Sequence, residues 1–106
     1  MARYFNITGA SSAAAELTRE LLAPGDDVRV TSISLTNIQG KIPCTVDLYI
    51  EKQLTGKFYI LKDTPLLIGS TFTHDFTFDN SANQYGLYLK LNKTSGEIPS
   101  VDVILK

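Results

Sequence analysis

The chain of 106 residues has no tryptophan, one cysteine, one histidine, one methionine and four prolines. Each scarcity removes a class of function. A lone Cys44 admits no internal disulfide and no cysteine metal cluster. One histidine and one cysteine leave almost no raw material for a Ser-His-Asp hydrolase or a metal hydrolase. Nucleophile motifs and glycine-rich phosphate loops are absent too, so no enzyme, cofactor or metal is expected. Ten basic residues against eleven acidic ones give a net charge of −1. The signs are interspersed with no basic block to track a phosphate backbone, which argues against nucleic acid as a partner. The apolar runs fall far short of the roughly 20 residues a membrane span needs, so no membrane partner is expected. The opening MARYFNITGA lacks the hydrophobic segment of a secretory signal, so the expected origin is a reducing cytoplasm. Without such a signal, Asn6-Ile7-Thr8 and Asn92-Lys93-Thr94 are chance matches to the glycosylation pattern.

What is present is alternation. At this length the chain forms one domain, residues 1–106, with room for a single core. Its second half is written in period two, the spacing that puts alternate side chains on one face of a sheet. Residues 44–50 place Cys44, Val46, Leu48 and Ile50 on one face and Thr45, Asp47 and Tyr49 on the other. Residues 85–91 turn Tyr85, Leu87, Leu89 and Leu91 inward, with Tyr88 and Lys90 outward; Val101, Val103 and Leu105 repeat the pattern at the end. FYILKD and PLLIG are apolar on both faces, as in strands covered on two sides or joined through a corner. Turn residues recur every 8–14 residues or so, at Ala23-Pro24-Gly25-Asp26, Gln39-Gly40, Thr55-Gly56, Asp79-Asn80-Ser81 and Ser95-Gly96. The pattern is an all-β, single antiparallel β-sandwich of about eight strands, jelly-roll or Greek-key in kind; an immunoglobulin-like strand order produces the same alternation.

Two stretches depart from simple alternation. In VRVTSISLTN, Val28 and Val30 share one phase while Ile33 and Leu35 occupy the other. A bulge near Thr31-Ser32, or a strand bending from sheet to sheet, restores a common face. In SSAAAELTRELL the alanines favour helix, yet LLAPGDD that follows reads as strand, turn, strand; we expect a strand over 16–22 and a loop or short helical turn before it. Residues 1–15 then form an N-terminal strand or arm plus a small-residue loop, and 16–106 the sandwich core.

The single histidine lies in FTHDFTFDN, beside an aspartate. Period two sends Phe72, His74, Phe76 and Phe78 one way and Asp75 the other, so His74 and Asp75 cannot form a dyad. His74 is expected as a partly buried ring against the phenylalanines or at a subunit contact, where an imidazole is also able to act as a proton switch. Asp26, Asp27, Asp47, Asp63, Asp75, Asp79 and Asp102 make no calcium-loop motif and read mostly as turn and strand-end caps. Outward Tyr49 and Tyr88 suit a protein interface, with sugar binding as the rival use, and the aromatic opening stretch with Arg3, Tyr4, Phe5 and Ile7 suits either a first strand or an arm that pairs with a neighbour. Arg3, Tyr4, Phe5, Ile7, Tyr49, His74 and Tyr88 are thus the candidate interface residues.

The ordered strings ELLAPGDDVRVTSISLTN, VDLYI, FYILKD, FDNS before YGLYLKL, and VDVILK, spread over residues 16–106, resemble small virion structural proteins of tailed bacteriophages, especially aquatic ones. The resemblance implies a compact β-sandwich on the particle, a capsid decoration (cement) protein or a neck, tail or fibre component. It implies the major capsid protein or other virion proteins as partners, a homo-oligomer with a trimer favoured, and no catalytic residue. Assembly in the host cytoplasm and residence in the virion follow from it. A carbohydrate- or surface-binding module is the alternative from a different class.

Overall fold

In the computed structural model, residues 3–8, 16–39, 43–52, 56–80, 84–92 and 99–106 are described. They form eight strands: β1 (Arg3–Thr8), β2 (Glu16–Leu22), β3 (Arg29–Asn37), β4 (Cys44–Lys52), β5 (Gly56–Leu66), β6 (Thr71–Asp79), β7 (Gly86–Asn92) and β8 (Ser100–Leu105). One sheet has the order β1-β8-β3-β6 and the other β2-β7-β4-β5, with every pairing antiparallel. Among the described strands, β4 and β5 are the only consecutive pair in one sheet; every other consecutive pair is divided between the two sheets. Two interlocked four-strand sheets wound in this order are a jelly roll, which removes the immunoglobulin-like alternative. Among the described residues no helix is long and apolar enough to cross a membrane.

The phase change in β3 is resolved by a bulge at the expected place. Pairing with β6 shifts register between Val30 and Ser32. On the other side, the amides of Thr31 and Ser32 both donate to the Lys106 carbonyl, at 2.6 and 3.1 Å. Two residues thereby oppose one, and Val30, Ile33 and Leu35 all reach the core. The segment 16–22 is a strand, as its flanking turn implied. The stretch 10–15 before it lies outside the described residues, as do Gly40, Thr55, Ser81 and Ser95-Gly96.

The interior is filled by aliphatic side chains from both sheets: Val30, Ile33, Leu35, Val101 and Leu105 from one, Leu22, Val46, Leu48, Leu66, Leu87, Leu89 and Leu91 from the other. Each such side chain contributes about 1.5–3 kcal/mol by leaving water. The outer edge of β2 is finished differently. Arg19 pairs with the inward Leu89 and lays its guanidinium 5.4 Å from the Phe5 ring, keeping its charge in solvent.

FYILKD is not covered on two sides. It lies in β5, an edge strand with two register irregularities against β4, and Phe58 and Tyr59 are exposed. PLLIG is where the chain turns the corner between sheets, ending in the turn Leu67–Ser70.

Two buried asparagines lock the corners. Asn37 Nδ2 donates to the Leu66 carbonyl (3.1 Å), and its amide donates to the Ser70 carbonyl (3.1 Å). Asn80 Oδ1 accepts from the Val28 amide (3.0 Å), while its Nδ2 donates to the carbonyls of Ala23 (3.0 Å) and Tyr85 (3.2 Å). Ala23–Asp26 is a tight turn with Pro24 and then Gly25 at φ +87°, a left-handed position suited to glycine. The Asp26 carboxylate accepts from the Ala23 amide at 2.9 Å.

Candidate interaction surfaces

Because aliphatic side chains fill the interior, the chemistry of this molecule lies on its two outer sheet faces, its edges and its ends. The outer face of the β2-β7-β4-β5 sheet carries a tyrosine row. Tyr88 on β7 and Tyr59 on β5 are the register partners of Tyr49 on β4. Tyr49 stacks on Tyr88 with ring centres 5.6 Å apart and tilts against Tyr59 at 5.5 Å, and the Lys57 ammonium stands 4.7 Å from its ring centre. Tyr49 does face outward, as its phase requires, but it is only 4 % exposed. Its neighbours across the sheet cover it, so it braces the face; the ring offered to solvent is Tyr59, with the Lys62 ammonium 4.8 Å from its centre. The Tyr88 hydroxyl donates to Glu20 at 3.2 Å. Partial burial, then the nearby Glu20 carboxylate, raise the Tyr88 pKa above the ordinary phenol value.

Beside this row sits Asp47, which alternation placed on this face without revealing that it is buried. Asp47 is in mid-strand and buried, and accepts hydrogen bonds from the Asp63 backbone amide (2.8 Å), the Lys62 ammonium (3.2 Å) and the Asn92 side-chain Nδ2 (3.2 Å). Burial pushes its pKa up, but these three donors outweigh burial and hold it below the ordinary carboxylate value. The same pair raises the Lys62 pKa, chiefly through the hydrogen bond to Asp47. Asp63 meets Asp47 through a left-handed backbone, φ +50°, which turns its amide toward the carboxylate. The group is a brace across β4, β5 and β7.

The first strand places its candidates on two faces. β1 pairs along its length with β8 of the same chain. Ile7 is in the core and Phe5 packs against it. Tyr4, 73 % exposed, lies on the outer face beside Ile104. Tyr4, Asn6, Asp102 and Ile104 rim a shallow hollow of about 410 Å³. Arg3 reaches Asp26 at 3.4 Å, an exposed ion pair of little energetic weight. Elsewhere on that face hydroxyls meet across strands, Ser34 with Thr73 at 3.4 Å and Thr36 with Thr71 at 2.9 Å.

His74 is half-buried on β6, opposite Ile33, and stacks between Phe72 (6.3 Å) and Phe76 (5.9 Å). Asp75 is exposed on the other face, opposite Ser32. The candidate residues thus do not converge: Tyr49 and Tyr88 share one sheet face, Tyr4 lies on the other, and His74 stands on an edge strand. Among the described residues, no three His, Cys, Asp or Glu side chains come together to hold a metal ion.

One surface was missed. Leu67 and Ile68, exposed in the β5–β6 corner, adjoin the exposed Ile38 through backbone bonds at Asn37. The signal was in the sequence, since PLLIG is apolar on both faces; a corner has no second sheet to cover it.

No family model matches the chain, and no curated protein matches it. Two solved structures similar to it come from infectious bursal disease virus. One is of the Gx strain (12 % identity, TM-score 0.49, covering 100 % of this chain and 32 % of that one). The other is the VP2 subviral particle (12 % identity, TM-score 0.36, covering 98 % of this chain and 32 % of that one). This chain spans about a third of the length of either, and likenesses this weak carry no functional argument; the strand order defines the fold.

Proposed function

We propose that this chain is a virion structural protein, and within that class a capsid decoration protein of a tailed bacteriophage, working by contact and not by catalysis. The observation that carries the reading is the apolar corner of Ile38, Leu67 and Ile68. Scattered apolar residues are ordinary on any surface; these three lie on segments tied together by backbone bonds at Asn37, which supports reading them as one contact surface. The filled interior and the dispersed polar groups supply a frame for such contacts. The order of strings along residues 16–106 adds the phage resemblance. In this reading each copy seats its corner on the major capsid protein or a neighbouring virion protein. Individually modest interfaces suffice, because many copies act on one shell.

The test is a count of copies per particle by quantitative mass spectrometry of purified virions. A simple ratio to the shell protein supports decoration. A dozen copies or fewer moves the protein to the neck, tail or a fibre, and none at all ends the virion reading. The exposed Tyr59 with Lys62 above its ring favours a second reading, a carbohydrate-binding module. Glycan-array binding lost in Tyr59→Ala supports that module.

A further inference from the structure

Strand β6 ends its sheet, and its outer edge differs from that of its neighbour across the sandwich. The other edge strand on that side, β5, carries Lys57, Lys62 and Pro65, all of which discourage a further strand from pairing. Between Thr71 and Asp79, β6 has no lysine, arginine or proline. Its burial alternates over all 9 residues, and its pairing with β3 shifts register once, between Asp75 and Phe78.

The hydrogen-bond phase says which groups that edge offers. At one end of β6 the Asn37 amide donates to the Ser70 carbonyl, and at the other the Asn80 amide donates to the Val28 carbonyl. Both contacts turn even-numbered residues toward β3. By the alternation of an antiparallel ladder, Thr71, Thr73, Asp75 and Thr77 present their amides and carbonyls outward.

The side chains add a second constraint. TFTHDFT, residues 71–77, reads nearly the same in both directions about His74. Two antiparallel copies related by a two-fold axis at His74 set Phe72 opposite Phe76, Thr71 opposite Thr77 and Thr73 opposite Asp75. Facing residues then share a sheet face, and His74 meets the His74 ring of the second copy on the axis. Moving the axis to Asp75 sets two carboxylates face to face, and moving it to Thr73 sets Phe76 against Ser70. The register about His74 pairs phenylalanine with phenylalanine and gives each carboxylate a hydroxyl.

We propose that β6 is a self-pairing edge: two copies of this chain join through β6, antiparallel about His74, into one eight-stranded sheet. The occupant is a second copy because the strand is complementary to itself. The half-buried Phe72 and Phe76 gain further cover in the pair. The assembly is a two-fold pair, in place of the trimer expected from sequence, and it stands independently of the virion reading.

Sedimentation equilibrium of the purified chain, from micromolar to millimolar concentration, tests this with two variants at one exposed position. Thr73→Lys sets an ammonium opposite Asp75 of the second copy, twice by symmetry, and should tighten the dimer by about tenfold. Thr73→Asp sets like charges there and should weaken it by about tenfold. Hydrogen exchange on the unaltered protein supplies an independent reading: exchange at Thr71, Thr73, Asp75 and Thr77 should slow as concentration rises. A chain that stays monomeric throughout overturns the proposal. So does a dimer that responds alike to both variants, or one in which those four amides keep exchanging at the monomer rate.

Discussion

Asn80 is the side chain on which we expect stability to depend most sharply outside the aliphatic core. It is 1 % exposed, and its carboxamide serves three backbone groups from two connections: the Val28 amide, and the Ala23 and Tyr85 carbonyls. Asn80→Ala removes all three bonds. At about 1 kcal/mol net per bond, the loss is about 3 kcal/mol. Against a typical reserve of about 5–15 kcal/mol, that lowers the melting temperature by roughly 12 °C. Asn80→Asp is the sharper probe. One carboxylate oxygen still accepts from Val28, but the other replaces the donor amide and faces two carbonyl oxygens about 3 Å away. At neutral pH this variant should be less stable than Asn80→Ala by about 1 kcal/mol or more. The introduced carboxyl prefers its proton when folded, so its folded pKa is raised, and stability increases as pH falls toward the ordinary carboxylate range. Urea unfolding followed by tyrosine fluorescence at pH 7 and pH 4 measures both effects. Asn80→Ala within about 1 kcal/mol of the wild type, or Asn80→Asp as stable as it at pH 7, would refute the accounting and put water in the role given to the carboxamide.

Asp47 should make the wild type acid-sensitive. Its folded pKa lies below the ordinary 3.8, so its contribution is present above that value and lost as pH falls through the folded pKa; Asp47→Asn should flatten the stability profile between about pH 5 and pH 2. Tyr49→Ala should cost about 3 kcal/mol because the ring is covered, whereas Tyr59→Ala should cost less than about 1 kcal/mol; parallel urea titrations compare them. Gly86→Ala brings a methyl within 3.0 Å of the Leu22 carbonyl oxygen, a backbone atom, and should destabilise by about 1–2 kcal/mol and speed exchange along β2.

The eight strands and the β3 bulge were legible because alternation is a one-dimensional signal: a phase change between Val30 and Ile33 has few remedies within one strand. Strand order was not legible, because the pairings that define it join distant segments, Arg3 with Leu105 and Val30 with Phe78. Asn80 was readable as a turn residue and Asn37 as the end of a strand, but neither as a buried residue. Their burial follows from connections that cross between sheets, where a side-chain amide stands in for backbone partners the ladder no longer supplies.

Period two assigns a side chain to a face, but exposure depends on who stands beside it in the sheet. Tyr49 and Tyr4 both point outward. Tyr49 sits on a strand flanked on both sides, and Tyr88, Tyr59 and Lys57 close over it; Tyr4 sits on an edge strand with one neighbour and stays in solvent. The same logic governs His74. Adjacent in sequence to Asp75, it is separated from that carboxylate by the thickness of a sheet, while Phe72 and Phe76, two residues away on either side, hold its ring. Edge position leaves this column half-buried, and the proposed pairing about His74 is what would close it.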